Sequence, residues 1–208
     1  MINNFNGSFL SEIFSIPRET IKLLKEYQEL VVKWNQKMNL VSQDAIHNLW
    51  DRHIVDSLQL IKFINDREIH LADLGSGAGF PGIVMSLAGI KEVTLIESNF
   101  KKAAFLLHAA SISSNKINIV NDRAENIDIS CDIISSRACA SVDTILTLAH
   151  KYKPRDKYLI LKGSTYQSEI DLAKQRWFFH HRVEPSITSQ HGAILELRNV
   201  TKIVHSTK

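Results

Sequence analysis

The sequence predicts an α/β fold: a mostly parallel seven-stranded sheet with helices on both faces and an N-terminal helical extension. Three observations predict it. The stretch Leu71-Ala-Asp-Leu-Gly-Ser-Gly-Ala-Gly-Phe-Pro-Gly-Ile83 reads as a buried strand, a glycine-rich turn and a helix. Beyond it, strand-like apolar runs alternate with segments of helical period, the pattern of a parallel sheet with crossover helices. Finally, Gly75, Glu97, Ala124, Arg137 and Lys162 all fall at or just past strand ends, along the carboxyl edge where such sheets bind ligands.

Composition sets the outer limits. A length of 208 residues suits one domain with an appendage, and an apolar fraction of 44% supports a full core. The expected division is a helical extension over 1–64, packed on a core over 65–208. No run of about 18 apolar residues exists, so no membrane span is expected. Met1-Ile-Asn-Asn-Phe-Asn-Gly7 lacks the basic and apolar regions of a signal peptide. Cys131 and Cys139 form no CxxC pair and are expected to be reduced, buried small hydrophobes. Together these features imply a soluble, cytoplasmic protein. The net charge of +3 is uneven. The basic excess lies after His150, in Lys151, Lys153, Arg155, Lys157, Lys162, Lys174, Arg176, Arg182, Arg198, Lys202 and Lys208. That excess suits a polyanion gripped by its phosphates. Ordinary solvated surface is the competing reading, and charge alone favours it.

In chain order, residues 1–15 read as a loose arm or short helix. Pro17 and Arg18 open a helix whose stripe is Ile21, Leu24, Tyr27, Leu30, Val31, Trp34 and Met38, with Asn35, Asn39 and Ser42 ending it. The stripe is core packing. A second helix is expected over 44–64, with Ile46, Leu49, Trp50, His53, Ile54, Leu58, Ile61 and Ile64 inward. Arg52, His53 and Asp56 would make a charged ledge on it. The plainer reading is an i,i+4 pair between Arg52 and Asp56, worth about 0.3–0.5 kcal/mol, and a half-buried histidine. After the glycine turn come a helical face of Ile83, Val84, Leu87 and Ala88, a strand over 93–97, a helix over 100–111 and a strand over 117–120. A fourth strand is expected over 131–135, a helix over 142–150, a fifth strand over 157–161 and a helix over 168–175. Segments 177–183 and 193–200 close the sheet as an antiparallel pair.

The glycine turn sets the ligand class. Gly75, Gly77 and Gly79 permit positive φ and close approach of a ligand, and Pro81 suits a first helical turn. Gly77-Ala-Gly79-Phe-Pro-Gly82 matches the dinucleotide pattern formally, but the first glycine at the strand end is Gly75. Asp73 would also sit near a pyrophosphate's negative charge. A cofactor with no phosphate, presenting an ammonium and a sulfonium, fits better. Val93-Thr-Leu-Ile-Glu97 ends in an acid placed to accept from two ribose hydroxyls. Asp73, the glycines and Glu97 together resemble the S-adenosylmethionine site of Rossmann-like class I methyltransferases.

Further stretches narrow the resemblance. They are Trp34-Asn35 with Asn39-Leu40, Arg52-His53 with Asp56-Ser57-Leu58, Asp73 through Ile83, Arg123-Ala124-Glu125, Ser136-Arg137-Ala138 and Lys162-Gly163. In that order, over about residues 30–165, they resemble the bacterial 16S rRNA guanine-N7 methyltransferase G family, also called glucose-inhibited division protein B. Val41 departs from it, since threonine is commoner there. The resemblance implies that Gly75 and Phe80 line the methionine and adenosine of S-adenosyl-L-methionine, with Asp73 and Gly77 in the same site. Glu97 would hold the ribose, and Ala124 and Glu125 the adenine. Arg137 is implied as the catalytic-site residue beside cofactor and incoming base, although an ion pair with Asp132 or Glu125 would also satisfy it. Arg52, His53, Asp56 and Lys162 are implied on the RNA side.

The chemistry so implied needs no general base, because N7 of guanine has a free lone pair. No Ser–His–Asp triad and no metal site are therefore expected, and His180-His181 lacks zinc-ligand spacing. The implied partner is 16S rRNA in the 30S subunit or a precursor, approached by a monomer, with no membrane. A small-molecule methyltransferase on the same fold, a nicotinamide-dependent oxidoreductase and a non-catalytic rRNA-binding assembly factor remain the alternatives.

Overall fold

The computed structural model describes residues 6–137 and 139–204. Part of the expected N-terminal arm, Ala138 of the Ser-Arg-Ala motif and Lys208 lie outside the described residues. Helix α1, Gly7–Phe14, is capped by Asn6, whose side chain accepts from the Phe9 N–H at 2.9 Å. Helix α2, Arg18–Asn35, follows Pro17 as expected and buries Ile21, Leu24, Tyr27 and Val31. Asn35 ends it by accepting from the N–H groups of Leu40 and Val41, at 2.8 and 2.9 Å.

The single helix expected over 44–64 is not what forms. The chain makes a short turn α3 at Gln43–Ile46, a π-helical segment at Trp50–Val55, a turn α4 at Asp56–Leu58 and a 3-10 turn at Gln59–Phe63. Leu49, Ile54, Val55 and Leu58 are nevertheless buried. The wider π turn carries a five-residue step from Leu49 to Ile54, which a 3.6-residue period cannot place on one stripe.

The strands are β1 His70–Leu74, β2 Glu92–Ile96, β3 Lys116–Val120, β4 Ile133–Arg137, β5 Lys157–Lys162, β6 Trp177–Pro185 and β7 Ala193–Lys202. Their order in one sheet is β3-β2-β1-β4-β5-β7-β6. The first five are parallel, and β7 runs antiparallel to both β5 and β6. The fourth strand starts and ends two residues later than expected, so Arg137 is its last residue and pairs in register with Leu161. Helices α5 Gly82–Leu87, α6 Phe100–Ala110, α7 Val142–Ala149 and α8 Tyr166–Ala173 connect or cover the strands. Helix α5 is buried all round rather than on one face.

Alternation along β1 and β5 divides the core. Leu71, Leu159 and Leu161 join a cluster with Leu24, Tyr27, Leu58 and Ile83, so the N-terminal helices share one core with the sheet. Ala72, Leu74, Tyr158 and Ile160 join a second cluster with Val142, Leu146, Ile170 and Trp177. The chain order reverses between β1 and β4, which opens a crevice at their carboxyl ends. No helix among the described residues is long and apolar enough to cross a membrane.

Candidate functional site

The loop after β1 is built by backbone and by three supporting side chains. The N–H groups of Gly75 and Ser76 both donate to the Ile96 carbonyl at 3.0 Å, tying the turn to β2. Gly75 has φ +67°, and a Cβ there would lie 2.2 Å from the Cys139 Sγ. From below, the fully buried Tyr27 donates its hydroxyl to the Ala78 carbonyl. The Phe80 ring sits between those of Tyr27 and His53, with centroids 5.3 and 4.8 Å away.

Asp73 lies beneath the turn, fully buried. Its carboxylate accepts from the Ser135 hydroxyl at 2.9 Å and the Gly82 N–H at 3.2 Å. Burial pushes it up to about 7, although those hydrogen bonds act the other way. The Asp73 side chain braces the turn and the start of α5.

Above the turn is a cavity of about 470 Å³. Gly75, Ser76, Gly77, Ala78 and Phe80 form one wall, and Glu97 and Ser98 follow β2. Asp122, Arg123, Ala124 and Glu125 close it from the β3 side, while Leu40, Val41, His53, Arg137 and Cys139 complete the rim. Glu97 is 7% exposed. Its two oxygens accept from the Gly77 N–H at 2.8 Å and the Asn99 N–H at 2.7 Å, which fixes the carboxylate against the turn. Each oxygen keeps a second lone pair for a ligand hydroxyl. The lining carries the acids Glu97, Asp122 and Glu125 and the bases Lys102, Arg123 and Arg137. The bare backbone at Gly77, where a Cβ would meet only the Gly75 carbonyl at 3.8 Å, suits the close approach of a ligand.

A second cavity of about 680 Å³ adjoins the first, and Arg137 and Cys139 line both. Arg52, Asp56, Lys162 and Glu169 line it, with Thr188, Ser189 and Gly192 from the β6–β7 loop. Arg137 is held by the π-helical segment and by the first residue of α4. Its Nε donates to Asp56 Oδ2 at 2.9 Å, one terminal nitrogen meets His53 Nδ1 at 2.9 Å, and the other donates to the Arg52 carbonyl. A guanidinium can only donate, so His53 Nδ1 is the acceptor and its proton is on Nε2. Burial, then the nearby charges of Arg137 and Arg52, push His53 down to about 3, so it stays neutral. Asp56 Oδ1 also accepts from Thr188 Oγ1 at 2.7 Å and Ser186 Oγ at 3.2 Å, which pins the β6–β7 loop to the same hub.

The structure thus brings Gly75, Gly77, Phe80, Glu97, Ala124, Glu125 and Arg137 to one cavity and Arg52, Asp56 and Lys162 to the next. Asp73 stands beneath them. None of the three alternative pairings holds, since Asp56 takes Arg137 rather than Arg52, Asp132 takes Arg155 at 3.0 Å and Glu125 takes Arg123 at 3.6 Å. Cys139 is exposed at the cavity rim, against the expected buried thiol, whereas Cys131 is buried. Sequence reasoning missed Tyr27, Asp122, Cys139 and Glu169. Asp122 could have been found, because it directly precedes the Arg-Ala-Glu run at the end of β3. Among the described residues, no cluster of three or more His, Cys, Asp or Glu is placed to hold a metal ion.

Comparison with known proteins adds three findings. The family model described as GidB, rRNA small subunit methyltransferase G, matches residues 20–200. Ribosomal RNA small subunit methyltransferase G of Rickettsia massiliae is 48% identical over 192 residues, covering 92% of this chain and 100% of the relative. The Rickettsia typhi protein of that name is 48% identical over 189 residues, covering 91% and 99%. Among solved structures, a mutant of MtNAS in complex with S-adenosylmethionine has a TM-score of 0.59 at 14% identity, covering 94% of this chain and 85% of that one. The M. jannaschii TYW2 complex with AdoMet has a TM-score of 0.53 at 13% identity, covering 80% of each chain. At such identities these two structures speak for the fold alone.

Proposed function

The chain belongs to the rRNA small subunit methyltransferase G family, and from that premise we propose that it methylates N7 of one guanosine in a loop of 16S rRNA, using S-adenosyl-L-methionine. The observation that carries the reading is the pair of adjoining cavities that meet at Arg137, one of them walled by the glycine turn and Glu97. Bound in the first cavity, S-adenosylmethionine would supply a sulfonium methyl group for the N7 lone pair, a transfer that calls for no proton transfer by the protein. Glu97 would hold the ribose, the segment at Ala124 and Glu125 would meet the adenine, and the turn from Gly75 to Phe80 would lie along the methionine.

The second cavity takes the unstacked guanine, since proteins reach RNA base edges mainly in loops. Arg137, fixed on three sides, forms the shared wall and sets the relative placement of the two ligands. Near-attack placement of this kind supplies roughly 7–11 kcal/mol of a barrier. His53, neutral and committed to Arg137, orients rather than removes a proton. The protein acts as a cytoplasmic monomer on 16S rRNA within the 30S subunit or a precursor.

Two measurements test the reading together. Calorimetry should show binding of S-adenosylhomocysteine and none of NADH. Tritiated methyl transfer should label 16S rRNA in unmodified small subunits and leave a panel of small-molecule acceptors unlabelled. Binding of NADH, or labelling of the small molecules alone, would overturn it.

A further inference from the structure

The floor of the second cavity carries a buried ion pair that the transfer chemistry does not itself require. Lys162, with its side chain 6% exposed, sits 2.8 Å from Glu169, whose side chain is 19% exposed. Lys162 is the last residue of β5 and Glu169 lies on α8, so the pair is fixed by two regular elements. Glu169 is itself held by the Thr165 hydroxyl at 2.8 Å and the Val142 N–H at 3.0 Å. Burial raises the Glu169 carboxyl, but the hydrogen bonds from Lys162 and Thr165 outweigh it and keep the group below its usual range, so the pair is ionic. Lys162 also donates to the Ala140 carbonyl. An ammonium has three N–H groups. Among the described residues Ala140 and Glu169 take two, and Lys162 is one of the residues that line the second cavity.

Resting on the reading above, we propose that Lys162 donates this third N–H to O6 of the target purine and so selects guanine over adenine, with Glu169 as its positioning residue. O6 is the neighbour of N7 on the purine. A donor for O6 must therefore stand beside the path by which N7 meets the methyl group. Lys162 meets that condition, because it shares its cavity with Arg137 and Cys139, the two residues that also face the cofactor cavity. Adenine presents an amino group in place of O6, and its N–H would meet another donor with no acceptor between them. A buried pair of this kind adds little to stability, because desolvation offsets the attraction. Its use here is to hold one donor at a fixed position.

The test compares small subunits reconstituted with guanosine or with 2-aminopurine riboside, which lacks O6 but keeps N7, at the target nucleotide. The wild-type chain is expected to prefer guanosine by roughly 10- to 100-fold in kcat/KM. In Lys162→Met/Glu169→Gln, which keeps the site neutral, the preference should fall to near one while S-adenosylhomocysteine binds as before. Glu169→Gln alone should lower the preference part of the way, an effect that a purely structural role would not produce. A folded double variant with the wild-type preference would overturn the proposal. If that variant fails to fold, equal methylation of both subunits by the wild-type chain overturns it alone. A wild-type chain that methylates neither would instead defeat the reading on which the proposal rests.

Discussion

Asp73 and His53 both depart from ordinary titration at the site, and their effects on stability run in opposite directions. Asp73 is raised by burial from 3.8 to about 7. Between these values the folded chain holds a proton that the unfolded chain has released. Its contribution to stability is therefore full below about pH 4 and lost as the pH rises to 7. His53 is lowered by burial and by Arg137 from 6.5 to about 3. Its contribution is full above pH 6.5 and lost as the pH falls towards 3. In Asp73→Asn only the histidine effect remains, so the urea midpoint should climb more steeply from pH 4 to 7 than in the wild-type chain. Parallel curves would show that the Asp73 carboxyl titrates normally. Residues whose role is local, such as Gly75, Gly77 and Glu97, were legible because the strand–turn–helix pattern places them on its own. The partners of Arg137 were not, since Asp56 and His53 lie 81 and 84 residues away in sequence and only the folded sheet brings them together.

At the level of elements, α2 and the π-helical segment act as props for the glycine turn. Tyr27 reaches from α2 to the Ala78 carbonyl, and the stripe expected as core packing thus includes one residue that also shapes the site. Tyr27→Phe keeps the ring and leaves that buried carbonyl without its donor, a loss of about 1–3 kcal/mol. Thermal denaturation should record that loss, and affinity for S-adenosylhomocysteine should weaken with it. Unchanged stability and affinity would mean that the turn holds its shape unaided. The π segment escaped the sequence because apolar residues continue at near-helical spacing on both sides of it. Its one trace is the five-residue interval from Leu49 to Ile54, which a reading tuned to three and four passes over. The later end of β4 escaped for another reason. Ser135 and Ser136 are polar yet fully buried, their hydroxyls donating to Asp73 Oδ1 and the Leu74 carbonyl at 2.9 and 3.1 Å. Polarity there reads as a strand end when it is the middle of one.

Across the whole molecule, the mostly parallel sheet was visible in the alternation of strands and helices, whereas the reversal of chain order between β1 and β4, beside which the cavities lie, came only with the structure. Charge was the weaker guide. Several of the basic residues after His150 are paired with acids, mostly at the surface: Arg155 with Asp132, Arg176 with Asp143, Arg182 with Glu184 and Arg198 with Glu196, while Lys162 pairs with Glu169 beside the second cavity. The most direct measurement is borohydride–aniline cleavage followed by primer extension on 16S rRNA from cells that lack this protein, carry it, or carry Arg137→Ala. We expect one strong stop, at a single guanosine, in cells with the wild-type chain. It should be absent without the protein and reduced roughly a hundredfold or more with Arg137→Ala, as misplacement of reacting groups by about 1 Å would produce. The same stop in all three strains, or none in any, would contradict methyl transfer to guanine N7 at the junction of the two cavities.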